Sequence, residues 1–222
     1  ARYAAQEFAR RARAAIEAAL PDHVRAVDRR HRIDFRALTG KAVTVYGQTE
    51  VTRDLIAARL AAGGEIVFEA EDVSIHDFDG ARSRIRFRKG GKAKEVRCDF
   101  IGGCDGFHGV CRVSVPEHAL TIHERVYPFA WLGILAETPP VSPELIYCHH
   151  ERGFALFSMR SPTLSRLYIQ CAPDENLNEW PDERIWDELR WRLGGDAAAA
   201  LRSAPALEKS VTPMRSFVAQ PM

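Results

Sequence analysis

The residues from 158 to 168 read Ser-Met-Arg-Ser-Pro-Thr-Leu-Ser-Arg-Leu-Tyr. They belong to a stretch, 144–171, whose aromatic and β-branched residues predict the strands of a sheet. Residues two apart on an extended strand share a face, so Ser158 and Arg160 are predicted to point the same way as Leu156. Arginine offers a planar fork of donors and serine adds one more. Such a face is suited to receive a carboxylate.

Tyr147 lies on a strand that is predicted to pair with the strand that leads to Ser158 and Arg160. Its phenol is predicted to hold the far end of a small aromatic acid. An alternative stays open, in which Arg160 is simply an exposed arginine on a sheet and Ser158 ends a strand. Surface arginines are common enough to support that alternative.

Short strands and two longer helices organise the rest of the chain, and this pattern predicts an α/β fold of the α+β type with a mixed sheet. Helices are predicted at 50–62, after an N-cap at Thr49, and at 182–193. Gly63-Gly64 is predicted to end the first helix. Asp79-Gly80 and Gly90-Gly91 predict hairpin turns. The further predicted strands are 43–46, 65–69, 71–77, 83–88, 95–101, 120–136 and 207–218.

Composition excludes several classes of partner. The 222 residues are 46% hydrophobic and 27% charged, with a net charge of +1. This balance gives no reason to expect nucleic acid or an anionic membrane as a partner, and no apolar run is long enough to span a bilayer. The five cysteines, without a C-x-x-C pair, favour free thiols in a reducing compartment and therefore a cytoplasmic location.

The first residues are rich in arginine and alanine and predict a helix that ends at Leu20, before Pro21. A targeting peptide is the alternative, but Glu7 and Glu17 argue against it because such peptides avoid acidic residues.

A resemblance to a known family rests on several segments in a fixed order, besides the region from Tyr147 to Arg166. They are Tyr-Gly-Gln-Thr-Glu-Val-Thr-Arg-Asp-Leu (46–55), Gly-Gly-Cys-Asp-Gly-Phe-His-Gly (102–109), Glu-Arg-Val-Tyr-Pro-Phe-Ala-Trp-Leu-Gly (124–133), Glu-Leu-Ile-Tyr (144–147), Arg-Gly-Phe-Ala-Leu (152–156) and Leu-Glu-Lys-Ser (207–210). Together they closely resemble the 4-hydroxybenzoate 3-monooxygenases, a branch of the flavoprotein aromatic hydroxylases. The resemblance covers residues 32–222 and leaves out 1–31.

The resemblance implies two cofactors, FAD and NADPH. It places Gln48, Asp105, Gly106 and Arg166 at the FAD, and His108, Arg112 and Arg215 toward the NADPH. Without the resemblance, Asp105-Gly106 would be interpreted as a turn, and Arg215 would be interpreted as a solvent-exposed residue of a strand. The cation of Arg166 near the flavin would stabilise its reduced, anionic form.

The implied reaction hydroxylates 4-hydroxybenzoate beside its phenol oxygen, with NADPH as reductant and O₂ as the oxygen source. Tyr147 would favour the phenolate, which makes the ring electron-rich. Ser158 and Arg160 would bind the carboxylate. Apolar walls that exclude water would come from Trp131, Leu145 and Leu156. The resemblance also implies a homodimer for the full-length enzyme.

Parts of the family pattern are missing from this sequence. No G-x-G-x-x-G follows a strand, and a Gly-Asp-Ala-Ala-His segment and a second family tyrosine are absent. We therefore expect a fragment, inactive alone, in which 32–121 is the middle part of an FAD/NAD(P)-binding fold and 122–222 a mixed-sheet substrate domain. The open alternatives are a non-catalytic substrate-domain fragment and a related hydroxylase acting on another aromatic acid. A metal site at 148–151 is not expected, because adjacent strand residues point to opposite faces.

Overall fold

The computed structural model describes residues 30–80 and 82–221. The helix predicted to end at Leu20 therefore lies outside the described residues. The chain divides into two compact units. The first contains the described residues up to Gln48 and Val126–Met214, and the second contains Thr49–Arg125 and the residues from Arg215 onward. The domain boundaries predicted after residues 31 and 121 divide the chain by proposed function, into a cofactor-binding part and a substrate-binding part. They are not boundaries between compact units, and they stay predictions.

The described chain confirms the predicted α+β class. Its helices are α1 (Phe35–Thr39), α2 (Gln48–Ala61), α3 (Val110–Ser114), α4 (Asp182–Leu193) and α5 (Gly195–Ala200), with 3₁₀ turns at Glu117–Ala119 and Leu177–Glu179. Its strands are β1 (Glu71–His76), β2 (Ser83–Lys89), β3 (Lys92–Cys98), β4 (Thr121–Ala136), β5 (Ile146–Cys148), β6 (Ala155–Ser161), β7 (Leu164–Cys171) and β8 (Ala206–Gln220). None of the described helices is long and apolar enough to cross a membrane.

The second unit contains an antiparallel sheet of β1, β2 and β3 in that order. The predicted turn between β2 and β3 is confirmed: Gly90 and Gly91 adopt φ values of +55° and +73°. Residues with a Cβ rarely adopt this left-handed conformation, which two-residue hairpin turns require. The turn between β1 and β2 is closed by the Gly80 amide, which donates to the Asp77 carbonyl at 3.2 Å.

A five-stranded sheet runs in the order β5-β6-β7-β4-β8. The pairs β5–β6, β6–β7 and β7–β4 are antiparallel. The β6–β7 register shifts between Met159 and Ser161, near the loop that joins the two strands. The central strands thus keep a strict alternation of faces up to Met159.

The core of the first unit lies on one face of this sheet, against α4. Every second residue of the central strands faces it because side chains alternate along a strand. The helix contributes an apolar stripe at i, i+1 and i+4. The buried core residues are Leu132, Ile134, Ala136, Ala155, Phe157, Leu167, Ile169, Trp180, Ile185, Trp186, Leu189 and Leu201. The opposite face of the sheet is left for other contacts.

Two of the predicted strands are wrong. Residues 43–46 and 65–69 form no strand. Val43 is largely exposed and pairs with no described strand, and Glu69 takes a φ of +53°, which is incompatible with an extended strand. Apolar composition alone cannot supply the partner that a strand needs for its hydrogen bonds.

The first predicted helix is confirmed as α2, but Thr49 is not its N-cap. The helix begins at Gln48, so Thr49 lies inside its first turn. The apolar stripe of α2 is not buried: Leu55 is 65% exposed, and no residue of the helix is buried.

Candidate active site

One row of side chains crosses the face of the five-stranded sheet that is turned away from α4. Tyr147 of β5 lies opposite Leu156 of β6, Leu156 lies opposite Tyr168 of β7, and Tyr168 lies opposite Gly133 of β4. Directly opposed residues share a face. The predicted neighbours Tyr147 and Leu156 are therefore brought together, with Tyr168 as a third member that the sequence reasoning missed.

Gly133 leaves room in this row. A Cβ at that position would lie 3.2 Å from Nη2 of Arg166 and 3.3 Å from Cε1 of Tyr168. Those distances are tighter than ordinary van der Waals contact, so a larger residue would displace one of the two side chains. Gly133 thus lets an aromatic ring and a guanidinium lie over the strand.

Aromatic rings cover this row at one end. The ring of Phe154 lies 5.8 Å from that of Tyr147 and 5.3 Å from that of Trp131, centroid to centroid. Trp131 also meets Tyr168 edge-on at 6.4 Å. Such distances are typical of favourable aromatic pairs. Tyr147 is 67% exposed, so its hydroxyl is open to a ligand, and the predicted wall residue Leu145 is also exposed.

The predicted carboxylate donors have other partners in the structure. Ser158 is 6% exposed, and its Oγ donates to the main-chain carbonyl of Arg166 at 2.8 Å. Arg160 is exposed and lies at the register shift between Met159 and Ser161, where simple alternation of faces does not apply. Its Nη1 donates to the Met159 carbonyl at 3.3 Å. The joint action of Ser158 and Arg160 on a carboxylate stays a prediction.

Arg166 is half-buried on the same strand as Tyr168. Its Nη1 lies 3.3 Å from Oε1 of Glu208, and its guanidinium lies over the Tyr168 ring at 5.5 Å. Burial opposes the charge, but hydrogen bonds and charge from Tyr168 and Glu208 outweigh it and raise the pKa of Arg166. Arg166 is thus a fixed cation beside the aromatic row.

A second cluster forms in the second unit, around the ring of Phe107. The guanidiniums of Arg112 and Arg215 lie 4.4 Å and 4.9 Å from its centroid, and Phe217 meets it edge-on at 5.2 Å. Arg215 forms an ion pair with Glu124. The structure therefore brings together two arginines that are 103 residues apart in the sequence and that the resemblance assigned to one cofactor.

Arg112 has one atom without a hydrogen-bond partner. Its Nη2 donates to the Phe107 carbonyl at 2.7 Å, but its Nε is buried and has no partner among the described residues. A buried donor without an acceptor is costly, and a ligand oxygen would remove that cost. The chemistry of this cluster, two cations on an aromatic ring with an unused donor, fits a phosphate-bearing nucleotide.

The predicted cofactor residues Asp105, Gly106 and His108 lie in the loop before α3. Oδ2 of Asp105 accepts from the Cys111 amide at 2.9 Å, and this main-chain hydrogen bond is the main cause that holds the pKa of Asp105 below its ordinary value. Gly106 has a φ of +72°. His108 is exposed, with its ring 5.0 Å from that of Phe107. Gln48, which begins α2, is exposed as well.

Comparison with known proteins supplies independent findings. A family described as "FAD binding domain" matches residues 5–222. This match includes most of residues 1–31, although the motifs that carry the resemblance begin only at Tyr46. A p-hydroxybenzoate hydroxylase of Acinetobacter baylyi is 53% identical over 192 residues, which are 86% of this chain and 47% of that protein. The chain thus spans about half the length of this curated relative.

Solved structures resemble the fold at low identity. A p-nitrophenol 4-monooxygenase, PnpA, of Pseudomonas putida has a TM-score of 0.60 at 14% identity, over 79% of this chain and 44% of that chain. The flavin-dependent halogenase CmlS has a TM-score of 0.56 at 14% identity, over 76% of this chain and 31% of that chain. At such identities the likeness is one of fold alone.

Proposed function

Since this chain belongs to the FAD-binding domain family, we propose that it forms part of a flavoprotein aromatic hydroxylase. The proposed reaction converts 4-hydroxybenzoate, NADPH, O₂ and a proton into 3,4-dihydroxybenzoate, NADP⁺ and water. The observation that carries the proposal is the row of Tyr147, Leu156 and Tyr168 across the sheet, in a chain so similar to a protein named p-hydroxybenzoate hydroxylase.

The row offers a flat, partly apolar platform for an aromatic ring. Leu156 and Trp131 supply apolar surface, and the exposed hydroxyl of Tyr147 can hydrogen-bond a phenol oxygen. A hydrogen bond to the phenolate favours that charged form and so lowers the phenol's pKa. Phenolate oxygen donates electron density to the ring, and an electron-rich ring accepts an electrophilic oxygen atom more readily.

The opposite end of the substrate carries a carboxylate, for which we propose Arg160 with Ser158. Arg160 is an exposed guanidinium with most of its donors unused by the contact to Met159. Ser158 would have to turn its hydroxyl from the Arg166 carbonyl to the ligand. A carboxylate is a stronger acceptor than a main-chain carbonyl, so the new hydrogen bond would offset the loss of the one to Arg166.

For the cofactors, Gln48, Asp105, Gly106 and Arg166 are proposed to hold FAD, and His108, Arg112 and Arg215 to hold NADPH. The unused Nε of Arg112 and the two guanidiniums at Phe107 support an anionic nucleotide there. Reduced by NADPH, bound FAD would supply one oxygen atom of O₂ for the aromatic ring. A homodimer, implied by the family resemblance, and a cytoplasmic location, favoured by the cysteines without a C-x-x-C pair, complete the proposal.

A chimaeric enzyme tests the reaction, because the chain spans only about half of its relative. In this chimaera the chain replaces the matched segment of the Acinetobacter baylyi protein. We expect NADPH oxidation that depends on 4-hydroxybenzoate, and dihydroxybenzoate formed in nearly equal amount. A chimaera that folds and binds FAD but oxidises NADPH without forming any dihydroxybenzoate would refute the proposal.

Tyr147→Phe in the chimaera should uncouple the reaction. The ring and its packing remain, but the hydrogen bond that favours the phenolate is lost. We expect the ratio of NADPH used for product to NADPH oxidised without product to fall about fivefold, which corresponds to one hydrogen bond of about 1 kcal/mol. Chromatography of dihydroxybenzoate against the absorbance loss of NADPH measures this ratio. Tyr127→Phe is the matched control, and parental coupling in the Tyr147 variant would remove Tyr147 from the proposed role.

A further inference from the structure

A buried charge network joins α4 to the loop before β6. Glu188 and Arg192 are 6% and 7% exposed. Oε2 of Glu188 accepts from Nε of Arg192 at 3.2 Å and from Nε of Arg152 at 3.3 Å. Because Glu188 neutralises Arg192, the guanidinium can stay charged inside the first unit, where an unpaired cation would be very costly.

The free end of Arg192 holds the main chain of the loop before β6 and of β7. Its Nη1 donates to the carbonyl of Phe154 at 2.9 Å and to the carbonyl of Gln170 at 3.0 Å. Gln170 completes the arrangement from the other side, since its Oε1 accepts from the Phe154 amide at 2.9 Å. The Phe154 carbonyl also accepts from the main-chain amide of Gln170 at 2.9 Å. Both main-chain groups of Phe154 are therefore fixed, and we call this arrangement of Arg192 and Gln170 the Phe154 clamp.

Gly153 is the residue that lets the chain enter the clamp. Its φ of +107° lies in the region that favours glycine. A Cβ there would lie 3.3 Å from Nη1 of Arg192 and 3.5 Å from Oε1 of Gln170. Backbone conformation and clamp geometry thus depend on each other at this position.

The clamp acts on the side chain that covers the aromatic row. Phe154 contacts Tyr147 at 5.8 Å and Trp131 at 5.3 Å between ring centroids. Tyr147 is otherwise exposed on the short strand β5, so the contact with Phe154 restrains its ring from one side. A movement of the Phe154 main chain would change the orientation of that ring.

We infer that Arg192 and Gln170 are positioning residues, which orient the Tyr147 ring for a phenolic ligand through Phe154. The ligand part of this inference rests on the proposed function, whereas the orientation of the ring does not. Arg192 does not touch the ligand, because it is buried on the α4 side and its contacts to the strands are to main-chain carbonyls. Gln170 lies on the face of the aromatic row, opposite Trp131, and its side-chain oxygen is occupied by the Phe154 amide.

The test uses the full chain labelled with 3-fluorotyrosine, whose ¹⁹F resonance for Tyr147 is assigned with Tyr147→Phe. Arg192→Lys keeps a cation near Glu188 but removes the fork that reaches Phe154 and Gln170 together. Gln170→Ala removes only the acceptor for the Phe154 amide. Arg190→Lys is the matched control, because Arg190 lies on the same helix and bonds Asp187 and Ser203 instead.

We expect Arg192→Lys and Gln170→Ala each to move the Tyr147 resonance by more than its linewidth, with Arg190→Lys leaving it in place. In both clamp variants, titration with 4-hydroxybenzoate should show an affinity reduced on the order of tenfold, because misplacement of a binding group is costly. If Arg192→Lys does not fold, Gln170→Ala decides alone. Unmoved resonances in the folded variants overturn the inference.

The two claims fail separately. If the resonances move but 4-hydroxybenzoate perturbs no tyrosine signal of the parent chain, the chain does not hold the proposed ligand and the orientation of Tyr147 by the clamp stands. Suppose instead that the parent chain and the clamp variants bind 4-hydroxybenzoate equally well and the Tyr147 resonance is the same in all of them. The clamp is then refuted and the proposed function stands.

Discussion

Glu188→Gln is expected to lower the free energy of unfolding of the first unit by about 3 kcal/mol at pH 7, the lower end of the cost of breaking a buried ion pair. Glutamine keeps the shape of the side chain but leaves Arg192 without a counter-charge in a buried position. Arg152 is less affected because half of its side chain is exposed. Chemical denaturation followed by tryptophan fluorescence measures the effect, since all four tryptophans lie in the first unit.

The pH dependence of this effect follows from the pKa of Glu188. Burial disfavours its charged form, but Arg152 and Arg192 outweigh burial and hold the pKa of Glu188 below its ordinary value of 4.5. A lowered pKa in the folded state adds stability above the unfolded-state pKa, and this stability is lost as the pH falls through the folded-state value. The difference between parent and variant should therefore be full at pH 7 and shrink below about pH 4.5.

Glu183→Gln is the control for both measurements, because Glu183 lies on the same helix and is exposed. Because Glu183 lies in the first turn of α4, loss of its charge should lower the free energy of unfolding by at most about 1 kcal/mol. A Glu188→Gln protein as stable as the parent at pH 7 would contradict the account of the buried network.

Arg160→Lys in the chimaera is expected to weaken 4-hydroxybenzoate binding by about 1.5–3 kcal/mol, the range for a hydrogen bond to a charged group. Lysine keeps the charge but cannot present the two parallel donors that match a carboxylate. FAD affinity should hardly change. Equilibrium titration monitored by flavin fluorescence measures both constants.

A neutral analogue provides the control for Arg160. 4-Hydroxybenzamide carries the same phenol but no carboxylate, so parent and Arg160→Lys should bind it with nearly equal affinity. If the variant loses as much affinity for the amide as for the acid, or loses none for the acid, Arg160 is not the carboxylate receptor.

Sequence patterns predicted those elements whose stability is local. Helix α4 was predicted from Asp182 to Leu193, and the structure has these bounds, because Pro181 precedes it and its apolar stripe has one face to bury. The Gly90-Gly91 hairpin likewise depends on two adjacent residues. The strands predicted at 43–46 and 65–69 were wrong because a strand depends on a partner that its own sequence does not contain.

Cross-strand neighbours explain what the sequence left out of the candidate site. Tyr168 ends the stretch 158–168, but only the registers Tyr147–Leu156 and Leu156–Tyr168 show that it shares a row with Tyr147. Phe154 was missed because its clamp is built by Arg192 and Gln170, 38 and 16 residues away. The alternation of side chains along a strand predicts which residues of that strand share a face. It does not predict the register shift between β6 and β7 next to Arg160.

Incorporation of ¹⁸O from labelled O₂ is the measurement that tests the proposed hydroxylation most directly. The chimaera, supplied with NADPH and 4-hydroxybenzoate under ¹⁸O₂, should form 3,4-dihydroxybenzoate that carries one ¹⁸O atom, with one NADPH consumed per product. Dihydroxybenzoate without ¹⁸O would contradict the account. So would a folded, FAD-containing chimaera that oxidises NADPH but forms no dihydroxybenzoate.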